Sequence, residues 1–289
     1  MDARFGARWL RRGAPAQTLP RGDIPSVLRG IPTSAANYAR RCRDSSVAEE
    51  HALSDVVPDE EVENADDPLQ PAIDATERVT NTILLNREQA MVDLATNATN
   101  YASGFVVTLA GTAQWNNYAT SDPIGDVKTG RTKIHDNLFR DPNLIIMGYQ
   151  VAAKLEDHPS FIERIKYSQL GVTTDELIAR VFGISTFLRA GAGKVTSNYG
   201  QSETFGYLWG KDVVMAYVPS SPGRKTPSFG YEFVWSYPDV GVMAVERWHD
   251  EDRVADIIRV RRRYDIKFIT VDAAGKQNAS GYLIKNAIA

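Results

Sequence analysis

Few residues in this chain could do chemistry, and their spacing decides against most of what they suggest. The run AGAGKVT, Ala190 to Thr196, places glycines ahead of a lysine, as in loops whose backbone N–H groups cradle nucleotide phosphates. Such a loop needs another glycine where Leu188 stands and a Ser or Thr after Lys194, where Val195 stands. The stretch Gly191 to Gly210 therefore reads as a long polar loop. An enzyme binding nucleotide through it is the alternative from a different functional class.

The four histidines, His51, His135, His158 and His249, follow no metal-ligand spacing, and the single Cys42 can form neither an intrachain disulfide nor a cysteine zinc site. Arginines beside Cys42 favour its thiolate, but no histidine lies near it in sequence to activate it. His249 and Asp250 are adjacent, whereas general acid–base work needs groups converging from separate elements, so the pair reads as an exposed turn between strands. No G-x-S-x-G elbow occurs. Catalytic, cofactor and metal residues are expected to be absent, and the chain is not expected to be an enzyme.

The chemistry that remains is charge. Met1 to Arg43 carries nine arginines against Asp2 and Asp23, a net of +7, and Asp44 to Glu77 carries twelve acids with no Lys or Arg, a net of -12. Apolar side chains are sparse in both blocks and keep no helical or strand period, so this stretch cannot build a core alone. It is expected to be either a solvated tail or an arm and loop ordered by another subunit. A third charged feature lies near the C-terminus, where Ile258, Val260, Tyr264, Ile266 and Phe268 alternate with Arg259, Arg261, Arg263, Asp265 and Lys267. That predicts a long half-buried strand with a basic open face, broken once by Arg262 on the apolar side. The basic face suits acidic segments of neighbours or the phosphates of packaged nucleic acid.

These charges need elements to hold them. Of 289 residues, 43% are hydrophobic and 24% charged, a mix that buries a real core and excludes global disorder. The net charge of -3 gives no field steering the whole molecule to nucleic acid. The longest apolar run, Val213 to Val218, is far short of the roughly 20 residues that cross a bilayer, so no membrane association is expected. The Arg-rich start lacks the apolar stretch of a secretory signal and reads as part of the mature protein, and the lone cysteine suits a reducing cytoplasm.

RVTNTILL, Arg78 to Leu85, is rich in β-branched residues and predicts a strand, after which Asn86 and Gln89 form a capping box that opens a helix. Ser121 is expected to cap a second helix bearing Ile124, Val127, Ile134 and Leu138 on one stripe. NLIIMG reads as a buried strand, Val151 to Leu155 as a short helix, and Thr173–Thr174 as the start of another. DVVMAYV and YEFVW read as strands, and Trp115, Trp209, Trp235, Tyr231 and Phe233 as core residues.

From Gln114 onward, QWNNYATSDPIGDV, PNLIIMG, LEDHPSFIERIKY, VTTDELIARVFGI, YLWGKDVVMAYVP, PSFGYEFVW and RRRYDIKFITVDAAG occur in order. Together they resemble the major capsid proteins of tailed bacteriophages with the Hong Kong 97-like fold. The resemblance implies an α+β fold with an N-terminal arm over 1–33 and an extended loop over 34–85. A peripheral domain over 86–141 and 242–289 would hold the long spine helix beginning at Ser121, and an axial domain would cover 142–241.

The same resemblance implies that the chain self-assembles into pentamers and hexamers, closing an icosahedral virion shell around double-stranded DNA in the bacterial host cytoplasm. A separate scaffolding protein, a portal and a decoration protein are the implied partners, with DNA held non-specifically. The encapsulin-type nanocompartment shell is the nearest alternative. The residues expected at subunit contacts are Arg40, Arg41, Arg43, Glu49, Glu50, Asp59, Glu60, Glu61, Arg259, Arg261, Arg263 and Lys267. Deleting residues 36–70 is expected to leave a folded subunit that cannot close shells.

Overall fold

The computed structural model of the chain describes residues 47–66, 68–165, 174–198, 200–223, 226–237 and 241–289. The expected arm, Cys42, and the contact residues Arg40, Arg41 and Arg43 lie outside these. The described residues fall into two compact units, one holding 47–88 and 232–267, the other 89–231 and 268–289.

The chain enters with strand β1 (Glu49–Pro58) and a short helix α1 (Asp59–Glu63), followed by helix α2 (Pro71–Thr96) of 26 residues. The strand expected over 78–85 is therefore helical, and Asn86 sits inside a helix instead of capping one. Burial accounts for the outcome: Ala75, Val79 and Ile83 recur every four residues, and this stripe packs on Val57, Ile258 and Val260. The β-branched threonines are accommodated because Thr76, Thr82 and Thr96 donate their hydroxyls to carbonyls four residues back.

Next come β2 (Val106–Thr108) and helix α3 (Pro123–Leu138). Asp122, not Ser121, caps α3, its carboxylate accepting from Gly125 N at 2.9 Å, and Val127, Ile134 and Leu138 form the buried stripe. Strand β3 (Leu144–Gly148), helices α4 (Tyr149–Glu156), α5 (Pro159–Ile165) and α6 (Asp175–Phe182), and strand β4 (Thr186–Ala190) follow. The expected loop over 191–210 contains a hairpin, β5 (Gly193–Val195) and β6 (Phe205–Tyr207). The remaining strands are β7 (Val213–Ala216), β8 (Gly230–Trp235), β9 (Met243–Asp250), β10 (Ala255–Phe268) and β11 (Gly281–Lys285).

In the first unit β10 is the central strand. It pairs antiparallel with β1, from Glu49 opposite Tyr264 to Pro58 opposite Ala255, and antiparallel with β9, and β8 is its third neighbour. The second unit is built on a five-stranded sheet in the order β2-β11-β7-β3-β4, with Val213, Met215, Ile145, Met147 and Leu283 fully buried in it.

Three expectations change. Helix α3 does not share a unit with 242–267: it packs on the five-stranded sheet so closely that a Cβ on Gly130 would stand 2.0 Å from Met215 Cε. Deleting 36–70 would remove β1 and the buried Val57 from the first unit's sheet, so a folded remainder is no longer expected. Trp115 and Trp209 are buried, but Trp235 is 51% exposed and Phe233 is exposed too. Both alternate along β8 with Glu232, whose carboxylate bonds Arg262, and so face the other way.

Candidate subunit-contact surface

The site is built on β10, a 14-residue strand whose two faces differ in kind. Ile258 and Val260 face helix α2. Alternation then puts Arg259, Arg261 and Arg263 on the opposite face, with Ser54, Ala52 and Glu50 of β1 directly across from them.

Glu50 lies between two of these arginines, its Oε2 2.6 Å from Arg263 Nε and its Oε1 3.4 Å from Arg261 Nη1. From the other side Glu246 of β9 accepts from Arg259 Nη2 at 2.6 Å and also from Arg261. Aromatic rings complete the row: the Arg261 and Arg263 guanidinium carbons stand 5.3 and 5.0 Å from the Tyr237 ring centroid, and that of Arg259 5.1 Å from Trp248. Hydrogen bonds from Arg263 to Glu50 and from Arg259 to Glu246 hold both carboxyls below the usual carboxylate range. Lys267 Nζ is 3.3 Å from Asp265.

The basic stripe expected to await a neighbour's acids is thus paired within its own chain. One expected contact residue, Glu50, supplies part of the pairing, while the other main partner, Glu246, was not anticipated. Its signal was present: β9 and β10 form a hairpin about residues 251–254, and counting outward from Asp250 opposite Ala255 places Glu246 opposite Arg259.

On the helix-covered face Arg262, the break in the apolar period, bonds Glu232 at 2.8 Å, and Arg87 of α2 bonds the same carboxylate. Arg78 of α2 pairs with Asp55 of β1. Glu49 lies opposite Tyr264 and is exposed.

The acids Asp59, Glu60 and Glu61 occupy the first turn of α1, where the helix dipole favours them. Asp59 N donates to Val254 O at 3.1 Å, and its carboxylate lies 3.8 Å from His249 Nδ1. The end of β1, α1 and the start of α2 enclose a groove of about 620 Å³, lined by Val57, Pro58, Glu60, Glu61, Leu69 and Asp74 among others. Leu69 is exposed at its rim. The groove is acidic and partly apolar.

His249 is on β9, not in the turn beyond it, and its Nδ1 lies 3.2 Å from Asp256. Lys194 is engaged by Gln89 Oε1 at 2.8 Å. Among the described residues no group of three His, Cys, Asp or Glu could hold a metal ion, and no helix is long and apolar enough to cross a membrane. The arrangement can hold a surface and present charge.

No protein-family model matches the chain. It is similar to the major capsid protein of Burkholderia phage BcepMu, 32% identical over 190 residues that cover 64% of this chain and 60% of the relative. It is also 27% identical over 251 residues to the major capsid protein of Pseudomonas phage JBD67, covering 81% of this chain and 78% of that one. Among solved structures, a phage-related protein from Bordetella bronchiseptica RB50 superposes with a TM-score of 0.67 at 27% identity, over 84% of this chain and 77% of that one.

Proposed function

We infer that this chain is a major capsid protein of a tailed phage, built on the Hong Kong 97-like fold. The observation that carries the reading is the likeness to a phage major capsid protein along 81% of the chain, supported by the fold held in common with the Bordetella phage-related protein.

On this reading copies of the chain assemble into pentamers and hexamers that close an icosahedral head around double-stranded DNA, held without sequence specificity. A separate scaffolding protein and a portal act during assembly in the bacterial host cytoplasm, and the finished shell can take a decoration protein. The first unit serves as the peripheral domain, with α2 as its spine, about 39 Å long at about 1.5 Å per residue. The second unit serves as the axial domain. Residues 1–33 form the arm, and the extended loop expected over 34–85 is cut back to the part that precedes β1, which belongs to the first unit's sheet.

The charge pairing suggests where neighbours meet. Arg259, Arg261 and Arg263 already have acids in their own chain, whereas the segment up to Arg43 carries +7 and the groove beside Glu60, Glu61 and Asp74 is acidic. The Arg-rich segment of one copy, including Arg40, Arg41 and Arg43, seats in that groove on another. Exposed ion pairs contribute only about 0 to 1 kcal/mol each, so they set register, and apolar interface area of more than about 1,000 Å² drives association.

The test is negative-stain microscopy of the chain expressed with its scaffolding protein, beside the double variant Glu60→Lys/Glu61→Lys. Closed shells from the unaltered chain and folded but unassembled subunits from the variant are expected. Normal shells from the variant would remove the groove from the interface, and failure of the unaltered chain to form any shell would overturn the capsid reading.

A further inference from the structure

His158 sits at the corner between α4 and α5 and is 1% exposed, yet the surface built on β10 makes no use of it. Its hydrogen bonds fix its protonation state by simple accounting. Ser121 Oγ donates its one hydrogen to Asn117 O at 2.7 Å, so toward His158 Nε2, 3.0 Å away, it can only accept. Nε2 therefore carries the ring proton. On the other side Ser160 N donates to Nδ1 at 3.2 Å, so Nδ1 must be bare. The imidazole is neutral, and both nitrogens are satisfied.

A second proton has one place to go, Nδ1, where it would face the Ser160 N–H. The ring is sealed by Tyr118, edge-on at 5.4 Å, and by Phe161, which in turn packs on Phe182 of α6 at 5.2 Å. Among the groups packed around it, Tyr118 donates its hydroxyl to Lys154 O, while Asp122 is the charged neighbour whose field favours protonation. Burial outweighs Asp122 and pushes the ring below the ordinary histidine range.

We propose that His158 is an acid-sensitive latch: protonating Nδ1 displaces the Ser160 N–H and releases the start of α5 from the α4 corner. The latch holds while the ring is neutral. In the released state the ring meets solvent and titrates near about 6.5, so closure is fully favourable above that value and weakens as pH falls below it toward the lower value of the closed state. Across that window the opening equilibrium rises about tenfold for each pH unit.

The test is hydrogen exchange of the intact chain, read on the α5 peptide between about pH 7 and about pH 5 after correction for intrinsic rates. The unaltered chain is expected to lose protection in α5 by about tenfold per pH unit once below about 6.5. His158→Gln, which cannot titrate, is expected to remove that dependence. If the variant does not fold, NMR of histidine-labelled unaltered protein decides: the ring should carry its proton on Nε2 at neutral pH and titrate in step with α5 opening. Equal pH dependence with and without the imidazole, or a ring that titrates while α5 protection stays constant, overturns the proposal.

Discussion

Arg262 and Glu232 meet at 2.8 Å on the helix-covered face of the first unit's sheet, and Arg87 of α2 binds the same carboxylate. The side chains of Arg262 and Glu232 are only 11% and 19% exposed, so the cluster is largely withdrawn from water. The single charged interruption in β10's apolar row is therefore a clamp tying β10 and β8 to the helix across them.

Removing the shared carboxylate leaves Arg262 poorly compensated in a dry setting and takes its partner from the more exposed Arg87. Glu232→Ala is expected to destabilise the first unit by about 2 to 3 kcal/mol, read as faster hydrogen exchange of β10 amides. Arg87→Leu, which leaves the Arg262–Glu232 pair in place, should cost less. An equal or larger effect from Arg87→Leu would contradict the clamp.

Acid should loosen the same sheet from both faces, Glu50 and Glu246 lying on the open face and Asp256 on the face of Ile258. Glu50, Glu246 and Asp256 are held below the usual carboxylate range by their arginine partners, first among them Arg263, Arg259 and Arg247. A carboxyl whose folded value is depressed contributes stability that is present above its unfolded value, about 4, and is lost as pH falls through the folded value. Urea denaturation is expected to show a lower midpoint at about pH 3 than at about pH 6, with part of the difference removed by high salt. A midpoint unchanged by acid would count against these pairings.

Two glycines in the second unit should respond differently to the same substitution. A Cβ on Gly148 would lie 2.1 Å from the backbone oxygen of Gly210, which cannot move alone, whereas on Gly130 it meets side chains only, the terminal methyl of Met215 at 2.0 Å and the buried Tyr282 ring at 2.8 Å, both of which must shift. Gly148→Ala is expected to cost about 3 kcal/mol and Gly130→Ala about 2 kcal/mol, the latter partly offset by alanine's better helix propensity. Thermal unfolding of both variants checks the order.

Because the arginines of β10 are paired at home, they should contribute little to DNA binding by the subunit. Replacing Arg259, Arg261 and Arg263 with glutamine is expected to leave the salt dependence of its DNA affinity nearly unchanged. A slope reduced by about one for each arginine would mean that they contact phosphates.

Much of the second unit was legible from residue order, because its elements bury apolar runs that announce themselves: NLIIMG became β3, DVVMAYV contains β7, and α6 begins directly after Thr174. The alternation along β10 likewise predicted its long strand and its basic face. Helix α2 was not legible, since Arg78 to Leu85 has strand-like composition and only tertiary burial of Ala75, Val79 and Ile83 selects the helix. The partners of the basic stripe were hidden for a related reason. Glu50 lies more than 200 positions from Arg261 and Arg263, and only the strand register brings them together.

A cryo-electron microscopy reconstruction of the particles formed by this chain with its scaffolding protein reads the assembly directly. A closed icosahedral shell of pentamers and hexamers is expected, with density from the Arg-rich segment of one copy lying beside Glu60 and Glu61 of another. A preparation that yields only monomers or open aggregates would contradict the capsid reading.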